Sequence, residues 1–318
     1  MITFIIRRLL ISIPVFLGIT VLIFTFIALA PGNLADALIR PELGFDQAAR
    51  EAILKRYGLD QPLPIRYLLW LANALQGELG YRVNSGSAVG SEVMRGLINS
   101  IILTGSALVL GILVGVPLGV LSAVRQYSKI DFGLTAVTFL GISLPSFMLG
   151  LGGLYLFGLQ LRLVPIAGMT SVGKPFDFVD FLRHLALPCL ILGFGYAAIF
   201  LRYTRASMLD VIHLDYMTTA RAKGLPNKTV LSRHAFRNAL IPVITLIGLS
   251  IPEIVGAAVV TEAVFSWPGL GLMMVEGVND RDYLLIMGIT LVLATTVLVA
   301  NLMTDVSYGF ADPRIRYN

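Results

Sequence analysis

Few side chains in this sequence are placed to do covalent chemistry. His184, His213 and His234 stand singly, and Cys189 is the one cysteine. They make neither a zinc-ligand pattern nor an internal disulfide. No G-x-S-x-G, no H-E-x-x-H and no close carboxylate pair within an apolar run occurs. The stretch Gly168-Met-Thr-Ser-Val-Gly173-Lys174-Pro175 nearly spells a phosphate-binding loop. Pro175 replaces the hydroxyl that would hold magnesium, and no strand–helix context surrounds it, so it reads as a chance match. Glu253 is the clearest ionisable residue inside an apolar run. A carboxylate in a membrane span marks a solute or ion pathway. Glu253 also follows Pro252, where a re-formed helical turn would welcome negative charge at its positive end. Both readings stand.

The remaining chemistry is recognition. Asp215–Pro242 is a polar, basic island between long apolar runs. From Arg202 to Arg237 it carries Arg202, Arg205, Arg221, Lys223, Lys228, Arg233 and Arg237 against Asp210 and Asp215. Asp215 is expected to cap a short helix, Tyr216–Lys223, which Gly224 and Pro226 end. Thr218, Thr219, Ala220 and Ala222 give it a small-residue surface able to enter a groove, with Arg221 and Lys223 pairing with acids at the rim. The alternative is a solvated helix lying on anionic lipid headgroups.

The elements that position this island lie in a membrane. Of 318 residues, 56% are hydrophobic and 14% charged, against about 25% charged in soluble domains. Several apolar runs exceed the ~20 residues a helix needs to cross the hydrocarbon. The net charge of +5 fits Lys and Arg gathered at the cytoplasmic ends of spans, rather than nucleic-acid binding. An all-α polytopic protein with about six spans follows: Leu9–Ala30, Asn99–Val124, Phe132–Leu161, Leu182–Leu201, Ala239–Val260 (interrupted by Pro252) and Tyr283–Val306. The first run is too long for a signal-peptide core. The organisation expected is 1–31 as N-terminus and first span, 32–98 as an external amphipathic segment, and 99–318 as a five-helix core with a cytoplasmic loop near 202–237. Both termini are expected inside. In the external segment, a helix is expected from Asp46 to Tyr57 and another from Pro64 to Gly77, with Leu68, Leu71 and Leu75 on one side. Gly111, Gly115 and Gly119 form a ladder that lets helix backbones approach closely.

Thr218-Thr219-Ala220-Arg221-Ala222-Lys223-Gly224 resembles the E-A-A-x-x-x-G loop of ATP-binding-cassette importer permeases. Thr218 stands where the general pattern has glutamate. Arg233-His234-Ala235-Phe236-Arg237-Asn238-Ala239-Leu240-Ile241-Pro242 resembles the dipeptide/oligopeptide branch, although Pro242 lies five residues further from the glycine than the general pattern's proline. Pro31-Gly32, Gly58-Leu59-Asp60-Gln61-Pro62-Leu63, Gly77-Glu78-Leu79-Gly80, Leu185-Ala186-Leu187-Pro188, Pro268-Gly269-Leu270-Gly271 and Arg281-Asp282-Tyr283 agree with that branch, in order along the whole chain. The resemblance implies a non-catalytic permease subunit in a bacterial or archaeal cytoplasmic (inner) membrane. It would form half of a pathway for peptides, or for nickel complexes, glutathione or another small solute. It implies a homologous second permease, two cytoplasmic ATPases that bind ATP and magnesium, and an external solute-binding protein. This chain would hold no cofactor or metal. Asp215, Thr218, Thr219, Ala220, Arg221, Ala222, Lys223, Gly224 and Leu225 would meet the ATPases. An ion-coupled secondary transporter would instead show internal repeats and paired broken helices, and an intramembrane enzyme a buried nucleophile–base set.

Overall fold

In lipid, every backbone N–H and C=O must be satisfied within the protein, and this chain meets that demand with helices. The computed structural model describes residues 2–29, 55, 60–256 and 258–311. The helix expected over 46–57 lies almost wholly outside these residues. The described residues form two compact units, one of 1–99 with 268–318 and one of 100–267.

The first unit contains α1 (Ile2–Leu29), α2 (Leu63–Leu75), the start of α3 (Val89–Val124), α12 (Leu270–Asp280) and α13 (Tyr283–Ala311). α1 packs along α13 and against α2. Between α2 and α3, Tyr81 and Ala88 form an isolated antiparallel bridge. A cationic knot holds this loop. Arg82 donates to Glu92 at 2.9 Å and lies 3.6 Å from the fully buried Asp282. Asp282 also accepts from the Val83 amide at 3.2 Å and caps α13 through the Leu285 amide at 3.1 Å. Burial works against the Arg82 charge, yet Glu92, Asp282 and Glu276 hold its pKa above the ordinary value. Arg281 ends α12 in the left-handed conformation, φ 54°, so the Arg281-Asp282-Tyr283 stretch is a helix stop followed at once by a helix cap.

The second unit contains the rest of α3, then α4 (Lys129–Ser143), α5 (Ser146–Gly153, running on as a π-helical turn to Gln160), α6 (Phe178–Ile212), α7 (Asp215–Ala222), α8 (Asn227–Thr229), a π-helical turn Val230–Phe236, α9 (Arg237–Ser250), α10 (Glu253–Gly256) and α11 (Val259–Val264). The glycine ladder is the seam between α3 and α6. A Cβ on Gly111 would lie 2.4 Å from Tyr196 Cβ. On Gly115 it would lie 2.5 Å from the Ala197 carbonyl, and on Gly119 2.7 Å from the Leu201 carbonyl. Backbone approach of this kind replaces the missing hydrophobic drive between helices in lipid.

Among the described residues, four unbroken helices are long and apolar enough to cross a bilayer, with a fifth if a bent pair counts as one span. That pair, α4 and α5 with its π turn, bends by 99°. Leu144 takes φ −89° and ψ 127°, the extended geometry imposed on a residue preceding proline. The span expected over 239–260 with an interruption at Pro252 is broken there. α9 ends at Ser250, and Pro252, without an N–H, separates it from α10. Two spans run longer than read from hydropathy: α3 starts at Val89 and α6 continues to Ile212, so residues 202–212, with Arg202 and Arg205, extend a spanning helix. The many exposed Leu, Ile, Val and Phe side chains of α1, α3, α4 and α5 are what a lipid solvent requires.

Candidate functional site

The basic island is built from α6, α7, α8 and the π turn. An eight-residue helix is marginal by itself, since isolated helices below ~12–15 residues barely form in water. α7 therefore depends on what it buries. Met217 (0% exposed) and Ala220 (7%) enter an apolar cluster with Ala123 of α3, Met208 of α6, Val230 and Ala235 of the π turn, and Ala239 of α9. Burying Met217 contributes about 1.5–3 kcal/mol. The Asn238 side-chain Nδ2 of α9 donates to Tyr216 Oη of α7 at 3.0 Å, and beneath it Ser207 Oγ of α6 donates to the Ala239 carbonyl of α9 at 2.8 Å. The helix is thus fastened to three longer elements.

Its end follows the expectation from glycine. Lys223 caps the helix, its N–H reaching the Thr219 carbonyl at 3.1 Å, and the Gly224 N–H reaches Arg221 O at 2.9 Å. Gly224 has φ +77°, the left-handed geometry a Cβ disfavours. Gly224 and Leu225 lie beyond the helix, both exposed. Pro226 then opens α8, accepting from the Thr229 and Val230 amides.

Two expectations are corrected. Asp215 does not cap α7: the cap position is Leu214, with no side-chain hydrogen bond, and Asp215 is the first helical residue. Its carboxylate acts on the positive end of the helix from the first turn. Ala220 does not belong to the outer surface. It sits three residues after Met217 on the inward face, so helical spacing turns it into the cluster. The outward face consists of Asp215, Thr218, Thr219, Arg221, Ala222 and Lys223, all exposed. It is polar and basic, with small side chains between the charges.

Beside the island lies an ion pair that sequence reading missed. Arg205 Nε and Nη2 donate to the two carboxylate oxygens of Asp131 at 2.7 and 2.8 Å. Asp131, 3% exposed, also accepts from Ser122 Oγ and, at 3.0 Å, from the Tyr127 amide. One carboxylate thereby joins α3, α4 and α6. Arg205 is one of the island's cations, yet half its reach is inward.

The other candidates fall elsewhere. Glu253 is exposed in the first turn of α10. Glu262 of α11 is 1% exposed. It lies two residues past the expected fifth span, so hydropathy passed it over. In the 168–175 loop, the Ser171 amide and hydroxyl donate to the Asp180 carboxylate at 2.6 and 2.7 Å. The groups that would cradle a phosphate are used locally, and no strand precedes the loop among the described residues.

Helices suited to crossing a bilayer, closed by a short basic helix fastened to their ends, define a polytopic membrane subunit. The chain belongs to the family of binding-protein-dependent transport system inner membrane components, which it matches over residues 115–317. It is 42% identical over 318 residues to the oligopeptide transport system permease protein AppB of Bacillus subtilis (strain 168), covering 100% of both chains. It is 35% identical over 338 residues to the dipeptide transport system permease protein DppB of Escherichia coli (strain K12), covering 100% of this chain and 99% of that one. Its fold is also similar to a chain of the MetNI methionine ABC transporter in inward-facing conformations. There the TM-score is 0.54 at 16% identity, over 69% of this chain and 96% of that one. Family and apolar helices together make it an integral inner-membrane protein.

Proposed function

We propose that this chain is one of two membrane subunits of an ATP-driven importer and forms half of the translocation pathway for peptides. The full-length similarity to oligopeptide and dipeptide permease proteins supports peptides as the solute. A homologous permease supplies the other half of the pathway. Two cytoplasmic ATPases bind ATP and magnesium, and an external binding protein delivers the solute. The chain itself hydrolyses nothing. Both termini and the basic island face the cytoplasm, in keeping with the excess of Lys and Arg there. The segment 32–98 is external. Glu253 remains a candidate pathway residue, on the ground that ionisable groups at membrane depth are functional by default.

The observation that carries the reading is the outward face of α7. Thr218, Thr219, Arg221, Ala222 and Lys223 are exposed on a helix whose other face is anchored in the ends of α3 and α6. A partner that binds this face pulls on spanning helices. Closure of the ATPases then biases the permease between inward- and outward-open arrangements, because each arrangement contacts them differently. Gly224→Glu tests this. A left-handed backbone disfavours a Cβ by about 1–2 kcal/mol, and the added carboxylate opposes acids at a groove rim. Pull-down of the ATPases and ATP-dependent uptake into vesicles should both fall while insertion persists. Normal assembly and uptake would remove α7 as the contact.

A further inference from the structure

α2 turns an arginine inward and leucines outward. The side expected to pack does not: Leu68 and Leu75 are 61% and 74% exposed. The half-buried residues are Arg66, Tyr67, Trp70, Leu71 and Ala74. Arg66 is the one charged residue of the helix, and its Nε is buried without a hydrogen-bond partner. Burial holds its pKa below the ordinary value, and no acid offsets that. Such a donor calls for a partner from outside the chain.

Arg66 lines a small cavity, ≈ 50 Å³, walled by Phe24, Trp70, Leu284 and Met287. That is room for about three water-sized atoms, the size of a carboxylate. A wider cleft of ≈ 440 Å³ adjoins it, with Asn73, Glu78, Leu79 and Gly80 lining both. The wider cleft has the volume of a small-ligand site. Gly77, Gly80 and Gly90 line it, so another backbone can come close to the protein's own. Asn73 and Ser91 also line it and offer side-chain hydrogen bonds. The exposed Glu78 brings a negative charge.

The two charges select the class of ligand. A plain anion on Arg66 is opposed by Glu78, and a plain cation on Glu78 is opposed by Arg66; a zwitterion suits both. Arg66 and Asn73 lie two helical turns apart, about 10 Å, the length of about three extended residues. Glu78 stands at the far end, its amide donating to the Asn73 carbonyl at 2.9 Å. We infer that this cleft binds a short zwitterionic peptide, about three residues long, with its carboxylate on Arg66, its backbone along Asn73 and the glycines, and its ammonium on Glu78. A guanidinium matches a carboxylate in charge and in its forked geometry. The inference rests on the proposed function for the outward position of α2 and for peptides as the solute that reaches it; it does not involve the ATPases.

The full chain in nanodiscs, without the external binding protein, is titrated with tri-alanine, N-acetyl-tri-alanine and tri-alanine amide. Saturation-transfer NMR reads binding against empty nanodiscs. Each blocked peptide should bind about ten-fold more weakly than tri-alanine, the loss of one charge-assisted contact. Arg66→Gln should bind tri-alanine and its amide alike, and Glu78→Gln should bind tri-alanine and its N-acetyl form alike. Arg66→Lys, which keeps the charge, should regain part of the preference for a free carboxylate. No binding of tri-alanine to the wild type, or equal binding of all three peptides, would overturn the inference. So would acetate or glycerophosphoethanolamine competing as well as tri-alanine, which would leave an anion or headgroup site. ATP-dependent uptake by the assembled importer separates this failure from that of the proposed function. Peptide uptake without tri-alanine binding to this chain sinks the inference alone, whereas tri-alanine held by both ends in an importer that takes up no peptide sinks the proposed solute alone.

Discussion

Met217→Ala separates the anchoring of α7 from its outward chemistry. Met217 is fully buried and is the largest α7 side chain in its cluster. Truncating a buried methionine to alanine destabilises by about 2–5 kcal/mol, depending on how far the site collapses. The neighbours include Ala123, Ala235 and Ala239, small residues that cannot swing into the void, so the middle of that range, about 3 kcal/mol, applies. The loss falls on the docked state of a short helix and not on the spans, so insertion should persist. Two kcal/mol alone raises the undocked population roughly 30-fold. The exposed Thr218, Arg221 and Lys223 are unaltered, so ATPases should still bind. In vesicles holding the assembled importer, ATP hydrolysis should continue while uptake per ATP falls several-fold. Amide exchange across 215–224 should accelerate at least ten-fold, and Met217→Leu, which conserves volume at under about 1.5 kcal/mol, should restore both. Faster exchange with unchanged uptake per ATP would refute the claim that motion passes through the docked face of α7.

Three further outcomes are expected. Cysteines at Ser85 and Asn227 should label from opposite sides of the membrane; labelling of both from outside intact cells would reverse the orientation proposed for the island. Gly115→Leu should abolish the folded permease, because its Cβ alone would meet the Ala197 carbonyl at 2.5 Å. Gly105→Ala, with nothing within 4 Å, should be tolerated and can stabilise by about 0.5–1 kcal/mol; detergent melting curves of the two variants check the pair. Asp131→Asn should destabilise by about 2–3 kcal/mol, less than the 3–5 of a fully buried pair because Arg205 is 28% exposed. Asp131→Asn with Arg205→Gln should recover part of the loss, and a double variant worse than the sum would contradict a direct pair.

Local geometry was legible where one residue type dictates it. Gly224 announces a helix stop because no other residue takes positive φ so readily, and Gly111, Gly115 and Gly119 announce a close seam because their spacing sets one helix face. Hydropathy found the spanning regions, and Pro252 marked the break in one of them, but the bend after Leu144 was not read. Leu144-Pro145 interrupts an apolar run whose composition is the same on both sides, and proline is tolerated in spans often enough that its effect depends on neighbours. The face of α7 was read from residue size, which favours Ala220 equally for a partner groove and for an internal cluster; only the position of Met217, one turn earlier, decides between them. The Asp131–Arg205 pair joins residues 74 apart, a distance over which no local pattern carries information.

The length of α6 has a mechanical consequence. Thirty-five residues with Pro188 near one end leave about 36 Å of helix between that proline and Ile212. Proline removes a hydrogen bond and is the natural place for such a rod to flex. Ten degrees of added bend at Pro188 carries Ile212 about 6 Å, roughly one turn of helix. α7 follows Ile212 by two residues, so a small angular change deep among the spans becomes a displacement of helix-turn size at the basic surface, and a push there returns as a small, forceful rotation within the bilayer.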